Sequence, residues 1–194
     1  YKKRSWQQRN RIIEFSKNDY QWLTVPVKSK GKYHQKFKDV EIDLENKNYN
    51  NISKIIRFNY QSSPYFKDLF IDIEGILEKK NKFLIDLNVA LIKKICNFLK
   101  IEKEFVFSSS FNLSSKKSQL LFDLTKAVNG TVYLSAPGSA VFFEEYNPFL
   151  MSKIELKYHE YFCKNYNQRT TDFLSYCSII DMIFNIGNEA ENLI

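Results

Sequence analysis

The chain has 194 residues, 44% hydrophobic and 26% charged. That length suits one domain with a sizeable core, and that balance excludes a disordered, collagen-like or disulfide-stapled chain. Lys and Arg number 29 against 22 Asp and Glu, a net +7 that favours anionic partners (phosphates, nucleotides, acidic lipids or nucleic acid) without choosing among them.

The chain opens in a basic, aromatic stretch, with Lys2, Lys3, Arg4, Arg9 and Arg11 around Trp6 and no initiator Met, so residues are expected in front of Tyr1. Residues 20–27 alternate, with Trp22, Thr24 and Pro26 on one side and Leu23, Val25 and Val27 on the other, which predicts a strand ending near Pro26. A lysine-rich loop around Gly31 follows at 28–38, then a short strand at 37–42 and a turn at 46–51. Helical spacing begins at Ile52 and runs through Ile55, Ile56 and Asn59 to Ser63-Pro64, where a second helix starts. Residues 84–99 predict an amphipathic helix, Leu84, Leu87, Leu91, Ile92 and Ile95 on one stripe and Lys93 and Lys94 opposite.

In the second half, 105–107 reads as a strand running into a Ser-rich loop. Ser114 or Ser115 caps a helix that stops at Asn129-Gly130, and 131–135 is a strand leading through Ala136-Pro137-Gly138-Ser139 into a short helix. A strand at 154–162 and a last helix at 175–185, closed by Gly187, complete the chain. Strands separated by helices are the signature of βαβ units. The expected fold is one α/β domain over 1–194, a mostly parallel sheet with helices on its faces.

Three cysteines, Cys96, Cys163 and Cys177, without CxxC spacing argue for a reducing compartment and against a disulfide framework or zinc site. A cytoplasmic location is expected, since no apolar run approaches the roughly 18–20 residues that span a bilayer. Nucleic acid is a poor fit: no helix-turn-helix, RNP-like strand or zinc finger occurs. No metal ligands are marked out, and neither the cofactor nor the oligomeric state is legible.

The opening motif is the densest chemical signal, because Arg offers a planar fork for phosphate or carboxylate and Trp6 a stacking surface; the alternative is a solvated basic end. In the turn 135–139, Ser135 and Gly138 could present backbone N–H groups to an anion beyond a strand's C-terminal end, or form an ordinary turn with Ser139 as a cap. His159 shares a strand face with Tyr161 and Cys163, which raises a base–nucleophile pair. Asp181 and Asn185 lie four apart on a helix otherwise made of Ile and Phe, placed to pair with the cationic opening or simply to solubilise the helix.

KRSWQQRNR followed by WLTVPV, then SPYF, DLN, YLSAPGS and a closing LS-x-x-SIIDMIFNIG resemble the WbqC-like proteins, which occur in clusters for O-antigen and other surface-polysaccharide biosynthesis. The resemblance covers nearly the whole chain in order. It implies a further N-terminal strand, a His-Gln-Pro turn and a helix ahead of Tyr1. Its recurring positions fall on Lys3, Arg4, Trp6, Arg9, Asn10, Pro64, Tyr65, Phe66, Asn88, Ser135, Gly138, Tyr166, Gln168, Asp181, Asn185 and Gly187. Where the family tends to have His-Pro ahead of Tyr-x-Gln, this chain has Cys163-Lys164. The family supplies a pathway and leaves the reaction open.

The leading expectation is a transferase that adds an acyl or aminoacyl group to a nucleotide-linked amino sugar. Lys3, Arg4 and Arg9 would neutralise the diphosphate, with Trp6, Asn10, Tyr166, Gln168 and Asn185 completing the substrate site. Asp181 or His159 would serve the chemistry. Nucleotidyl transfer, or a non-catalytic protein recruited to anionic lipid through the basic loop 28–38, are the alternatives.

Overall fold

A computed structural model describes residues 1–194. It divides into two compact units, the first made of Tyr1–Glu102 and Cys163–Ile194, the second of Lys103–Phe162.

The first unit begins with a hairpin. β1 (Arg9–Glu14) pairs antiparallel with β2 (Asp19–Thr24) in the register Arg11↔Trp22, closed by a turn at 15–18 in which Asn18 takes φ +52°. Ile12 on one face joins the main core with Leu23, while the alternate positions Arg9 and Arg11 share the other face with Tyr20 and Trp22. Beyond β2 the chain is pinned by an isolated bridge between Val27 and Ile42, which brackets the lysine-rich loop.

A short helix α1 (Lys47–Asn50), capped by the Asn46 side chain, precedes α2 (Ile52–Tyr60). α2 buries Ile52, Ile56 and Tyr60 at four-residue spacing. α3 (Phe66–Glu78) buries Phe66, Leu69, Phe70, Ile73, Ile76 and Leu77, the continuous stripe of a helix with one face in a core. α4 (Leu84–Phe98) packs Leu84 and Leu87 beside it. Arg57 on α2 makes a two-pronged pair with Glu74 on α3, at 2.9 and 2.7 Å. That exposed pair orients more than it stabilises.

The second unit holds α5 (Lys117–Ala127), β3 (Val132–Ser135), α6 (Ala140–Glu145) and β4 (Glu155–Tyr158), with β3 and β4 paired in parallel. Its core is aromatic. Tyr133 stacks on Phe149 at 5.4 Å between ring centres, and Phe143 meets Phe149 edge-on at 5.7 Å. The chain then returns to the first unit through an extended segment, 163–178, and ends in α7 (Ile179–Ile186) and a 3-10 turn (Gly187–Leu193). α7 is buried on nearly every side, as a helix apolar all round must be.

The expected large parallel sheet of βαβ units is not there. The molecule is mixed, with only a two-stranded antiparallel pair and a two-stranded parallel pair. Three local differences account for this. The end of the opening motif, expected as a basic stretch, runs into β1, which takes β2 as an antiparallel partner. Residues 37–42 wind into a 3-10 turn (Phe37–Asp39) and touch the sheet only as single bridges at Glu41 and Ile42. Residues 105–107 belong to no strand. The last two runs have the residues of a strand but form no continuous ladder, and ladder partners decide strands more than propensity does. The last helix also starts later than expected, at Ile179, because residues 174–178 lie against the hairpin instead. No helix is long and apolar enough to cross a membrane.

Candidate functional site

The opening turn is organised by Gln8, which is buried. Its amide Oε1 accepts from Arg4 N–H at 2.9 Å and from the Tyr1 hydroxyl at 2.5 Å, while its Nε2 donates to Val25 O at 2.8 Å. Arg4 adopts φ +60° to close this turn. Asn88 on α4 secures the same turn by donating from Nδ2 to Gln7 O at 2.8 Å. Lys3, Arg4 and Asn10 are left at the surface, and Trp6 is 83% exposed.

Strand alternation then sets an arginine–aromatic ladder on the outer face of the hairpin. The Arg9 guanidinium lies 4.0 Å over the Trp22 ring, and Arg11 lies 4.6 Å over Tyr20. Arg11 also donates to Tyr176 O at 2.9 Å, so its fork is partly spent on holding the 163–178 segment. None of Lys2, Lys3, Arg4, Arg9 and Arg11 enters an ion pair; the ion pairs of the chain lie elsewhere. These five cations have no carboxylate partner, and Trp6 and Trp22 are exposed on the same unit.

Beneath the hairpin lies a buried carboxylate. Asp181, in the first turn of α7, has 0% exposure and no cationic partner. Its Oδ1 accepts from the Tyr60 hydroxyl at 2.8 Å and, more distantly, from Asn185 Nδ2 at 3.4 Å. Its Oδ2 accepts from the Tyr166 hydroxyl at 2.5 Å and from Gln168 Nε2 at 3.0 Å. Four donors fill the capacity of an ionised carboxylate. The direction of each bond is fixed by a second contact. Tyr60 Oη already accepts from Ile13 N–H at 2.9 Å, so its own proton points to Asp181. Gln168 Oε1 accepts from Leu174 N–H at 2.8 Å, which turns the amide so that its nitrogen faces the carboxylate.

Burial pushes the Asp181 carboxyl above its usual range, against the hydrogen bonds from Tyr166, Tyr60 and Gln168, which pull it down. Burial first, and then the Asp181 charge, raise both tyrosine hydroxyls far above the ordinary phenol, so Tyr60 and Tyr166 remain donors. Burial likewise pushes the Cys177 thiol up to about 12.

From the sequence, Asp181 and Asn185 are expected either to pair with the cationic opening or to solubilise the helix. The structure pairs them instead with tyrosines and an amide, because α7 turns that edge into the core between α2 and the 163–178 segment. Tyr166, Gln168, Asp181 and Asn185 are thus brought together, while Lys3, Arg4, Trp6, Arg9 and Asn10 lie apart from them toward the surface of the same unit, Asn10 on the strand face opposite Arg9. Tyr65 and Gly187 also meet. Gly187 takes φ +62°, and a Cβ there would stand 2.7 Å from a Tyr65 ring carbon.

The remaining candidates belong to the second unit. Ser135 ends β3, buried, with an Oγ that has no hydrogen-bond partner. Gly138 sits in an exposed 3-10 turn where an added Cβ would meet nothing within 4 Å, so that turn does not require glycine. His159 is exposed, stacks on Tyr161 at 6.1 Å and donates its backbone N–H to Ser135 O at 2.8 Å. Cys163, in the first unit, accepts from Tyr176 N–H at 3.3 Å.

Sequence reasoning missed Gln8, Trp22 and Tyr60. Tyr60 was within reach, since it continues the Ile52–Ile56 spacing by one more turn. Trp22 matters through Arg9 on the other strand, and Gln8 through Val25 as well as its neighbours Tyr1 and Arg4.

The chain is 31% identical over 192 residues to the uncharacterized protein Rv1507c of Mycobacterium tuberculosis, an alignment spanning 98% of this chain and 81% of that protein. No solved structure matches it. The family model described as WbqC-like protein family matches residues 1–193, and the chain belongs to that family.

Proposed function

We propose that the protein is a transferase of surface-polysaccharide biosynthesis that binds a nucleotide-linked amino sugar and passes an acyl or aminoacyl group to its amine. The observation that carries the binding half of this reading is the set of unpaired cations around Arg9 and Trp22. A diphosphate needs two or more cations that are not already neutralised, and a base or sugar ring needs an exposed aromatic face beside them. Family membership supports the pathway.

In this reading Arg9, Lys3 and Arg4 neutralise the diphosphate, Trp6 stacks on the base or sugar, and Asn10 supplies a polar contact at the strand edge. Asp181 is a positioning residue. With no exposed surface and all four acceptor sites filled, it acts by fixing Tyr166 and Gln168, and through them the segment that holds Arg11. His159, Ser135 and Gly138 carry no step of it.

Calorimetric titration with a panel of nucleotide-linked sugars tests the reading. Binding is expected for the wild type and a loss of at least tenfold for Arg9→Ala with unchanged melting temperature. Equal binding by both proteins removes the role given to Arg9, and binding of no member of the panel removes the substrate class.

A further inference from the structure

The loop between Val27 and Ile42 is clasped at its base and open at its tip. The Val27–Ile42 bridge, Lys28 N–H to Glu41 O at 2.9 Å and Asp43 N–H to Pro26 O at 2.9 Å close the neck. Above the neck, Lys32 N–H bonds Ser29 O at 3.2 Å, with Gly31 at φ +70° and His34 at φ +56° making the reversal. Residues 30–34 are all exposed, and Tyr33 at the tip is 84% exposed. Such a loop is held in shape by its ends, and its tip is left for contact with something outside.

Its charge is one-sided. Between 28 and 38 there are five lysines and no acid. Glu41 at the neck takes Lys32 at 3.0 Å and Lys28 at 3.6 Å, and Lys30, Lys36 and Lys38 enter no ion pair. The loop also abuts the basic opening: Tyr1 N–H donates to Gln35 O at 2.8 Å, setting Lys2 next to Lys36 on one stretch of surface. The acid in this stretch, Asp39, lies exposed beyond Lys38.

We infer that this loop is a contact for an anionic bilayer surface, with Lys30, Lys36 and Lys38 facing the headgroups and the Tyr33 ring inserting at the interface. Exposed lysines without ion-pair partners suit a diffuse negative surface, whereas a single phosphate is gripped by converging donors. An exposed tyrosine between lysines has the amphipathic character of residues at membrane interfaces. A single-stranded nucleic acid would instead need aromatic faces in series along a groove, and of the loop's rings Phe37 packs against the core, leaving only Tyr33 and His34 exposed together at the tip.

The full chain is incubated with vesicles of phosphatidylglycerol and phosphatidylcholine, or of phosphatidylcholine alone, and pelleted at low and high salt. Pelleting is expected only with the anionic vesicles and only at low salt. The triple variant Lys30→Glu, Lys36→Glu, Lys38→Glu is expected to bind at least roughly 100-fold more weakly, and Tyr33→Ser several-fold more weakly. Circular dichroism identical to wild type shows that these surface changes leave the fold intact. Nucleotide-sugar titration of Tyr33→Ser is expected to be unchanged, since Tyr33 is uncharged, lies at the loop tip and has no part in the diphosphate site, so the two readings fail separately. Absence of wild-type pelleting at low salt, equal pelleting of wild type and triple variant, or release by inorganic phosphate beyond that of sodium chloride at matched ionic strength would each overturn the assignment. Tighter binding of a single-stranded oligonucleotide than of the anionic vesicles would overturn it in favour of nucleic acid.

Discussion

Replacing Asp181 with Asn tests whether the buried carboxylate holds the first unit together. The side chain keeps its shape, but one acceptor oxygen becomes an NH₂ group. If the nitrogen takes the Oδ2 position, the Tyr166 hydroxyl and Gln168 Nε2, at 2.5 and 3.0 Å, both face a donor. A buried donor left without a partner costs roughly 1–3 kcal/mol. With one or two such donors the loss is about 2–4 kcal/mol.

The pH dependence separates the terms. Burial raises the folded-state pKa of Asp181 above the unfolded value of about 3.9. The folded chain therefore holds this proton more tightly, and the stability linked to it is full below the unfolded pKa and is lost as pH rises through the folded one. The Asn variant lacks that slope. Urea midpoints measured across acid to neutral pH are expected to differ most at the acid end and to converge as pH rises. A gap that widens with pH would mean the four hydrogen bonds outweigh burial. A gap under about 0.5 kcal/mol at every pH would mean that the network does not organise the fold.

Three further outcomes follow from the same unit. Tyr166→Phe removes a hydrogen bond that lowers the Asp181 pKa, so the loss of stability on raising pH should extend further toward neutrality than in wild type, measured by the same midpoints. Gly187→Ala should cost about 2–4 kcal/mol, from a left-handed backbone and an overpacked contact with Tyr65, and Tyr65→Ala in the same chain should recover the contact part, as a double-mutant cycle of melting temperatures would reveal. Cys177, its thiol pushed up to about 12, should be alkylated by iodoacetamide at pH 8 at least roughly 100-fold more slowly in the folded chain than in urea, read by peptide mass spectrometry.

Local signals were legible where a residue's role depends on its near neighbours. The stripe of α2 lies at its expected spacing and that of α4 does so apart from Ile92, which is exposed; Asn129-Gly130 ends a helix, and Gly187 closes the last one, because 3.6-residue periodicity and chain-reversing residues act within a few positions. The parallel pair also forms, in shortened form, at 132–135 and 155–158. The hairpin was half legible: residues 20–27 alternate cleanly, whereas RNRIIE carries two Arg and adjacent buried Ile residues, and its strand character comes from β2 alongside it.

By itself, then, the sequence determined the helices of the first unit, the basic character of the opening and loop, and the family resemblance, all of which reside in residue type and short spacing. Tertiary structure alone decided the rest. It made a small mixed fold out of segments that suggested a parallel sheet, since a strand exists only when another chain segment supplies its hydrogen bonds. It also decided what Asp181 does. Partners 121 and 15 residues away in sequence, Tyr60 and Tyr166, meet one carboxylate in a core without a cation, and no spacing along the chain encodes that meeting.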